Sequence, residues 1–245
     1  MTKTPAAVIG LASSVLSLLL AGCLAEDELA GDADLSGDAQ GVPNVEHRAP
    51  DALASAPAHP SAVHLLLDGS VIRPWCGGVL VAPDVVVTST DCVAGIGAFR
   101  LEVGLKTPGA GQSHRVERVV ELDHDPRLAA LVLDEVVEGI EPVSVVTPEG
   151  DQCDVQSISY RYVAGEDEPL DRWVWSGCYT AETQALRPRD GEPNCHGDSG
   201  APAFDHDGDL LGVVVAASGH ELCIDEVVLA VPDSGAYDEA LELSR

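Results

Sequence analysis

Eleven short runs of mostly β-branched and aliphatic residues, each bounded by turn formers, constrain this 245-residue chain more than any other feature. They cover Ala62–Leu67, Gly78–Val81, Val85–Thr88, Arg100–Val103, Arg115–Leu122, Leu128–Leu133, Val155–Tyr162, Trp173–Trp175, Ala201–Phe204, Leu210–Ala217 and Val227–Val231. Runs this short are strand-sized and too brief for helices that bury a face. Between them stand Asp68-Gly69, Pro83-Asp84, Pro108-Gly109, Glu149-Gly150 and Asp207-Gly208, pairs that turn a chain sharply. Many short strands with a turn after each predict an all-β domain, barrel or sandwich. Only at the end does the signal change, where Asp233 or Ser234 can cap a short helix running through Leu243.

The N-terminus follows a different rule. Lys3 precedes an apolar run from Ala6 to Leu20 that is too short to span a bilayer and reads as a secretory signal. It ends in Leu20-Ala21-Gly22-Cys23, which resembles the lipobox of bacterial lipoproteins. That resemblance implies removal of residues 1–22, lipidation of Cys23 and residence in the bacterial cell envelope. With Leu24 next, the outer membrane is the expected site, facing periplasm or exterior. Residues 23–57 are rich in Ala, Gly, Asp, Glu and Pro, and read as an acidic, solvated tether. Residues 58–245 are long enough for one all-β domain with a sizeable core. Setting Cys23 aside leaves six cysteines in an exported, oxidising setting, so three disulfides are expected. The residues alone leave fifteen connectivities open.

The chemistry is concentrated in Cys195-His196-Gly197-Asp198-Ser199-Gly200-Ala201-Pro202. This stretch resembles the nucleophile loop of the chymotrypsin/trypsin-like serine proteases. Pro74-Trp75-Cys76-Gly77-Gly78-Val79-Leu80 and Val85-Val86-Val87-Thr88-Ser89-Thr90-Asp91-Cys92 resemble the segments around that family's catalytic histidine. The resemblance implies two packed six-stranded antiparallel Greek-key β-barrels with a short C-terminal helix and a cleft between the barrels. It also implies the pairs Cys76–Cys92 and Cys195–Cys223, which leaves Cys153 with Cys178. Ser199 becomes the nucleophile, the Gly197 and Ser199 amides the oxyanion hole, and Asp198 the carboxylate that positions the loop. Pro193, Val215, Ala216 and Ala217 take the substrate-pocket positions.

Against that pattern the chain departs in several places. Asp91 occupies the position of the histidine base, and a carboxylate with a reference pKa near 3.9 is a feeble base at neutral pH. Where the family carries an orienting aspartate ahead of a short apolar strand, this chain has Leu128-Ala129-Ala130-Leu131-Val132-Leu133. Asp125 lies close enough in sequence to have shifted into the role, but there is no imidazole for it to orient. His114, His124, His206 and His220 fall in turns or strand ends, and His196 is expected at the cleft rim; the plain reading of each is a solvent-exposed side chain. No start resembling the family's liberated N-terminus stands near His47 to Pro60, Pro193 replaces the acidic pocket residue of members that cut after Lys or Arg, and Val215-Ala216-Ala217 replaces Ser-Trp-Gly. Together these predict a pseudoprotease that binds a protein or peptide. The competing reading is an active serine endopeptidase using Ser199 with an unconventional base.

A formal net charge of −28, from 41 acidic against 13 basic residues, disfavours nucleic acid and contact with anionic headgroups, and suits a basic partner. Asp205-His206-Asp207-Gly208-Asp209 contains a fragment of a calcium-loop pattern, but its glycine is misplaced and no distal glutamate follows. It reads as a hairpin turn, and no metal or cofactor is assigned.

Overall fold

The computed structural model describes residues 59–69, 74–105, 111–160, 172–189, 194–195, 199–216, 223–224, 226–231 and 234–244. In chain order the first six strands are β1 (Ala62–Leu67), β2 (Pro74–Ala82), β3 (Val85–Ser89), β4 (Leu101–Leu105), β5 (Ser113–Glu121) and β6 (Leu128–Leu133). They close into an antiparallel barrel in the order β1-β2-β3-β6-β5-β4. The next strands are β7 (Gln152–Tyr160), β8 (Arg172–Thr180), β9 (Ala185–Pro188), β10 (Asn194–Cys195), β11 (Pro202–Phe204), β12 (Leu210–Ala216), β13 (Cys223–Ile224) and β14 (Val227–Ala230). Six of these form a second closed barrel, β11-β12-β14-β9-β8-β7, while β10 and β13 make a separate two-stranded ribbon. An α-helix, α1 (Ser234–Leu241), follows. Closure of both sheets leaves no edge to protect, and it decides barrel over sandwich.

The unbroken apolar runs have a structural cause. All five residues of β3 and all six of β6 are buried, because one face of each points into the first barrel and the other meets the second barrel. Val86, Ala129 and Leu131 line the first interior with Val63, Leu65 and Val103. Val85, Val87, Leu128 and Ala130 join a shared core with Ile158, Phe204, Leu210 and Val213. By contrast β5 has one outer face in water, with Arg115, Glu117 and Arg118 exposed and Val116 buried, and the two consecutive exposed residues fall where its register against β6 shifts. The second interior is built on Val155, Trp175, Leu186, Leu211, Val214 and Leu229.

Two features fasten the barrels together. Helix α1 packs on β2 and β3 and sends Ala236, Tyr237 and Ala240 into the shared core. Tyr160 of β7 donates its hydroxyl to the Ala62 carbonyl at 3.3 Å, and burial pushes that hydroxyl up to about 12, so it stays a donor.

The expected strands match in kind, with shifted bounds. β2 begins at Pro74 instead of Gly78, and β8 runs from Arg172 to Thr180, well beyond Trp173–Trp175. The tail of the Val155–Tyr162 run lies outside the described residues. Strands β9, β10 and β13 carry no legible sequence signal, since two to four residues cannot display a period. They exist because neighbouring strands offer them hydrogen-bond partners.

Candidate functional site

Ser199 lies half-buried in the turn that leads into β11, and backbone hydrogen bonds from both barrels hold that turn. The Gly77 amide of β2 donates to the Ser199 carbonyl at 2.9 Å, and the Gly200 amide donates to the Val214 carbonyl at 2.7 Å. Thr88 of β3 donates its hydroxyl to the Gly77 carbonyl at 2.8 Å, which steadies the strand segment that grips the turn. The approach is close enough to require glycine on both sides. Gly200 has φ +78°, and a Cβ there would collide with the Gly77 carbonyl oxygen and the Thr88 hydroxyl. A Cβ on Gly77 would fall 2.7 Å from Ala201 Cα. Sequence reading assigned no role to Thr88 and none to Gly77; the glycine doublet Gly77-Gly78 was the available signal.

Asp91 is brought to the same end of the first barrel. It is the middle residue of a 3₁₀ turn, Thr90–Cys92, that leaves β3 two residues beyond Thr88. That turn is pinned on several sides. The Thr90 amide donates to the Arg127 carbonyl at 2.8 Å, and the Thr90 hydroxyl donates to the Pro126 carbonyl at 2.8 Å. Cys92 is bonded to Cys76 of β2, and the Trp75 indole donates to the Cys92 carbonyl at 2.9 Å. The Asp91 side chain itself is exposed, and among the described residues it makes no hydrogen bond or ion pair.

Strand register brings Leu128 beside this turn, opposite Ser89, with its side chain 0% exposed. The side chain that strand register puts there is hydrocarbon packed into the shared core. Asp125 does not compensate. Its oxygens accept from the Arg127 backbone amide and Nε, each at 3.0 Å, and from Nη2 at 2.8 Å. Burial pushes the Asp125 carboxyl up, but hydrogen bonds and charge from Arg127 outweigh it and hold it below its ordinary value.

The described histidines lie elsewhere, and His114 is half-buried with its Nε2 enclosed and without a hydrogen-bond partner among the described residues, not solvent-exposed as expected. His124 Nδ1 lies 3.1 Å from Glu239 Oε2, and His206 Nε2 lies 3.2 Å from Asp207. His114 is on β5, paired with Val103 of β4. His64, which sequence reading did not weigh, is the histidine brought opposite Gly77 in register. It is 1% exposed, lies over Gly104 and tilts against Tyr160 with ring centres 4.7 Å apart. A histidine inside an apolar run gave no sign of that position. His196 and His220 lie outside the described residues, as do Gly197, Asp198, Pro193, Ala217 and Cys23.

Val215 is buried in the shared core, and the Ala216 backbone pairs with Val228 beside a bulge. The Cys153–Cys178 bond joins residues directly opposed on β7 and β8. Cys195 and Cys223 are opposed in the short ribbon; their side chains lie outside the described residues. The Asp205–Asp209 segment is a hairpin turn between β11 and β12, with Asp205 Oδ1 accepting the amides of Asp207 and Asp209 at 3.0 Å each.

Residues 52–223 match the family model described as Trypsin. Among solved structures, a scabies mite inactivated protease paralogue is similar with a TM-score of 0.55 and 16% identity, covering 75% of this chain and 91% of that one. Neuropsin, a serine protease expressed in the limbic system of mouse brain, is similar with a TM-score of 0.54 and 18% identity, covering 70% of this chain and 90% of its own. At such identities the likeness speaks for the fold alone. No curated protein matches the chain.

Proposed function

Since the chain belongs to the trypsin family, we propose that it is a catalytically impaired member, a pseudoprotease that captures a protein or peptide in or beside the old cleft instead of cutting it. The observation that carries this reading is an exposed Asp91 in the turn after Ser89, whose register partner Leu128 is fully buried, while the Ser199 turn is still clamped. A serine hydroxyl is a weak nucleophile until a base takes its proton, and an unoriented carboxylate does that poorly. The paralogue from the scabies mite, itself described as inactivated, is a precedent for this fold without protease activity. Localisation to the bacterial cell envelope through lipidated Cys23 belongs to the same proposal, as does a protein or peptide partner in place of nucleic acid.

Retention of Ser199 in that turn favours a second reading, an endopeptidase that uses Ser199 with a non-standard base, because a purely structural turn has no need of the serine. The amides of an intact nucleophile loop alone can sustain a residual rate. Labelling of the folded full chain with a fluorophosphonate, beside a Ser199→Ala control, separates the two. Absence of Ser199-dependent labelling is expected; labelling that the control abolishes overturns the pseudoprotease reading.

A further inference from the structure

We propose that Trp75 and Asp91 together form a recognition site for an arginine or lysine side chain of the captured protein or peptide. The inference rests on the impaired-protease reading and names the chemistry of what that surface takes. Trp75 is one of the few large apolar side chains left in water, at 49% exposure. Its polar edge is already used, since the indole N–H is committed to the Cys92 carbonyl. The ring is therefore fixed, and what it offers a ligand is its π system, which attracts cations and costs little ordering entropy on binding.

Asp91 supplies the complementary charge. It directly precedes Cys92, whose carbonyl anchors the indole, and Trp75 directly precedes Cys76. The two residues each precede one half of a disulfide whose Cα atoms are 6.0 Å apart, and the 2.9 Å indole bond to Cys92 brings the Trp75 ring to the turn that carries Asp91. The Asp91 carboxylate is exposed and unpaired among the described residues. Arg127, which abuts the same turn through its carbonyl, is neutralised by Asp125 and does not cancel the Asp91 field. An anchored aromatic ring and a carboxylate unpaired among the described residues, both at one disulfide on a chain of net charge −28, draw cationic side chains and repel acidic ones.

The test is a titration of the full chain with the peptide acetyl-Ala-Ala-Arg-Ala-Ala-amide, read at the Trp75 indole N–H resonance, which Trp75→Phe assigns. Saturable movement of that signal is expected, without movement of the buried Trp175. The same peptide with citrulline, neutral and nearly isosteric, should bind at least about tenfold more weakly. Asp91→Asn, at an exposed position that does not threaten folding, should weaken arginine-peptide binding about three- to tenfold, and Trp75→Leu by a similar factor. Asp134→Asn, exposed on the same barrel but away from the disulfide, should change it less than about twofold. Equal binding of the citrulline peptide, equal losses at Asp91 and Asp134, or no loss at either Trp75 or Asp91 overturns the proposal. Fluorophosphonate labelling and arginine capture fail separately: a labelled protein sinks the parent reading, and an unlabelled one without arginine selectivity sinks only this inference.

Discussion

On the impaired-protease reading, restoring a histidine at position 91 is not enough, and Leu128, the register partner of Ser89 just before that turn, shows why. Leu128 is fully buried opposite Ser89, so a histidine installed at Asp91 finds hydrocarbon where a carboxylate would fix its tautomer. In a serine protease, loss of that orientation alone lowers turnover by about 10⁴. Asp91→His is therefore expected to leave hydrolysis of a fluorogenic casein substrate at the level of Ser199→Ala. Leu128→Asp by itself places an unpaired charge in the shared core and should destabilise the fold by about 3–5 kcal/mol, read as a lowered urea midpoint. Clear hydrolysis by Asp91→His would mean that Leu128 is not a second lesion. The missing histidine was visible in the sequence. The burial of Leu128, and the occupation of Asp125 by Arg127, were not, because both depend on which strands lie side by side.

At the level of elements, the join between the start of β1 and the β11–β12 hairpin has a titratable hinge pin. His59 stacks on Phe204 with ring centres 4.4 Å apart, and its Nδ1 lies 2.6 Å from Ser61 Oγ. Burial lowers its pKa below the ordinary 6.5, and the charge of Asp209 only partly restores it. The unfolded chain thus takes up a proton near pH 6.5 that the folded chain resists, so stability drops as pH falls from about 7 through the lowered folded value. Solvent screening keeps the effect below about 1 kcal/mol. Chemical denaturation at pH 7 and pH 5 should show a smaller acid-side loss for His59→Phe, which keeps the stack, than for the parent; equal losses would acquit His59. The long strands were readable because each carries enough residues to show a pattern. Strands β9, β10 and β13 were invisible, since hydrogen-bond partners distant in sequence define them.

For the molecule as a whole the dominant fact is charge. With 41 acidic and 13 basic residues, self-repulsion opposes the compact state, and screening relieves it. Raising sodium chloride from about 20 to 200 mM should increase the thermal midpoint by on the order of 1–3 °C while weakening arginine-peptide capture. A midpoint that is flat or falls with salt would show the repulsion to be offset within the fold. That charge is fixed by composition and needs no structure to read. So is the all-β class, because alternation and turn residues are local, and so is the nucleophile stretch, because its residues are contiguous. What only the tertiary structure decided is everything that depends on two distant segments meeting. It closed the sheets into barrels, set Gly77 and Thr88 against the Ser199 turn, buried Leu128 opposite Ser89, and brought the Trp75 indole to the Cys92 carbonyl next to Asp91. Such contacts follow from strand register and barrel closure, where one residue of slip would turn every side chain to the other face.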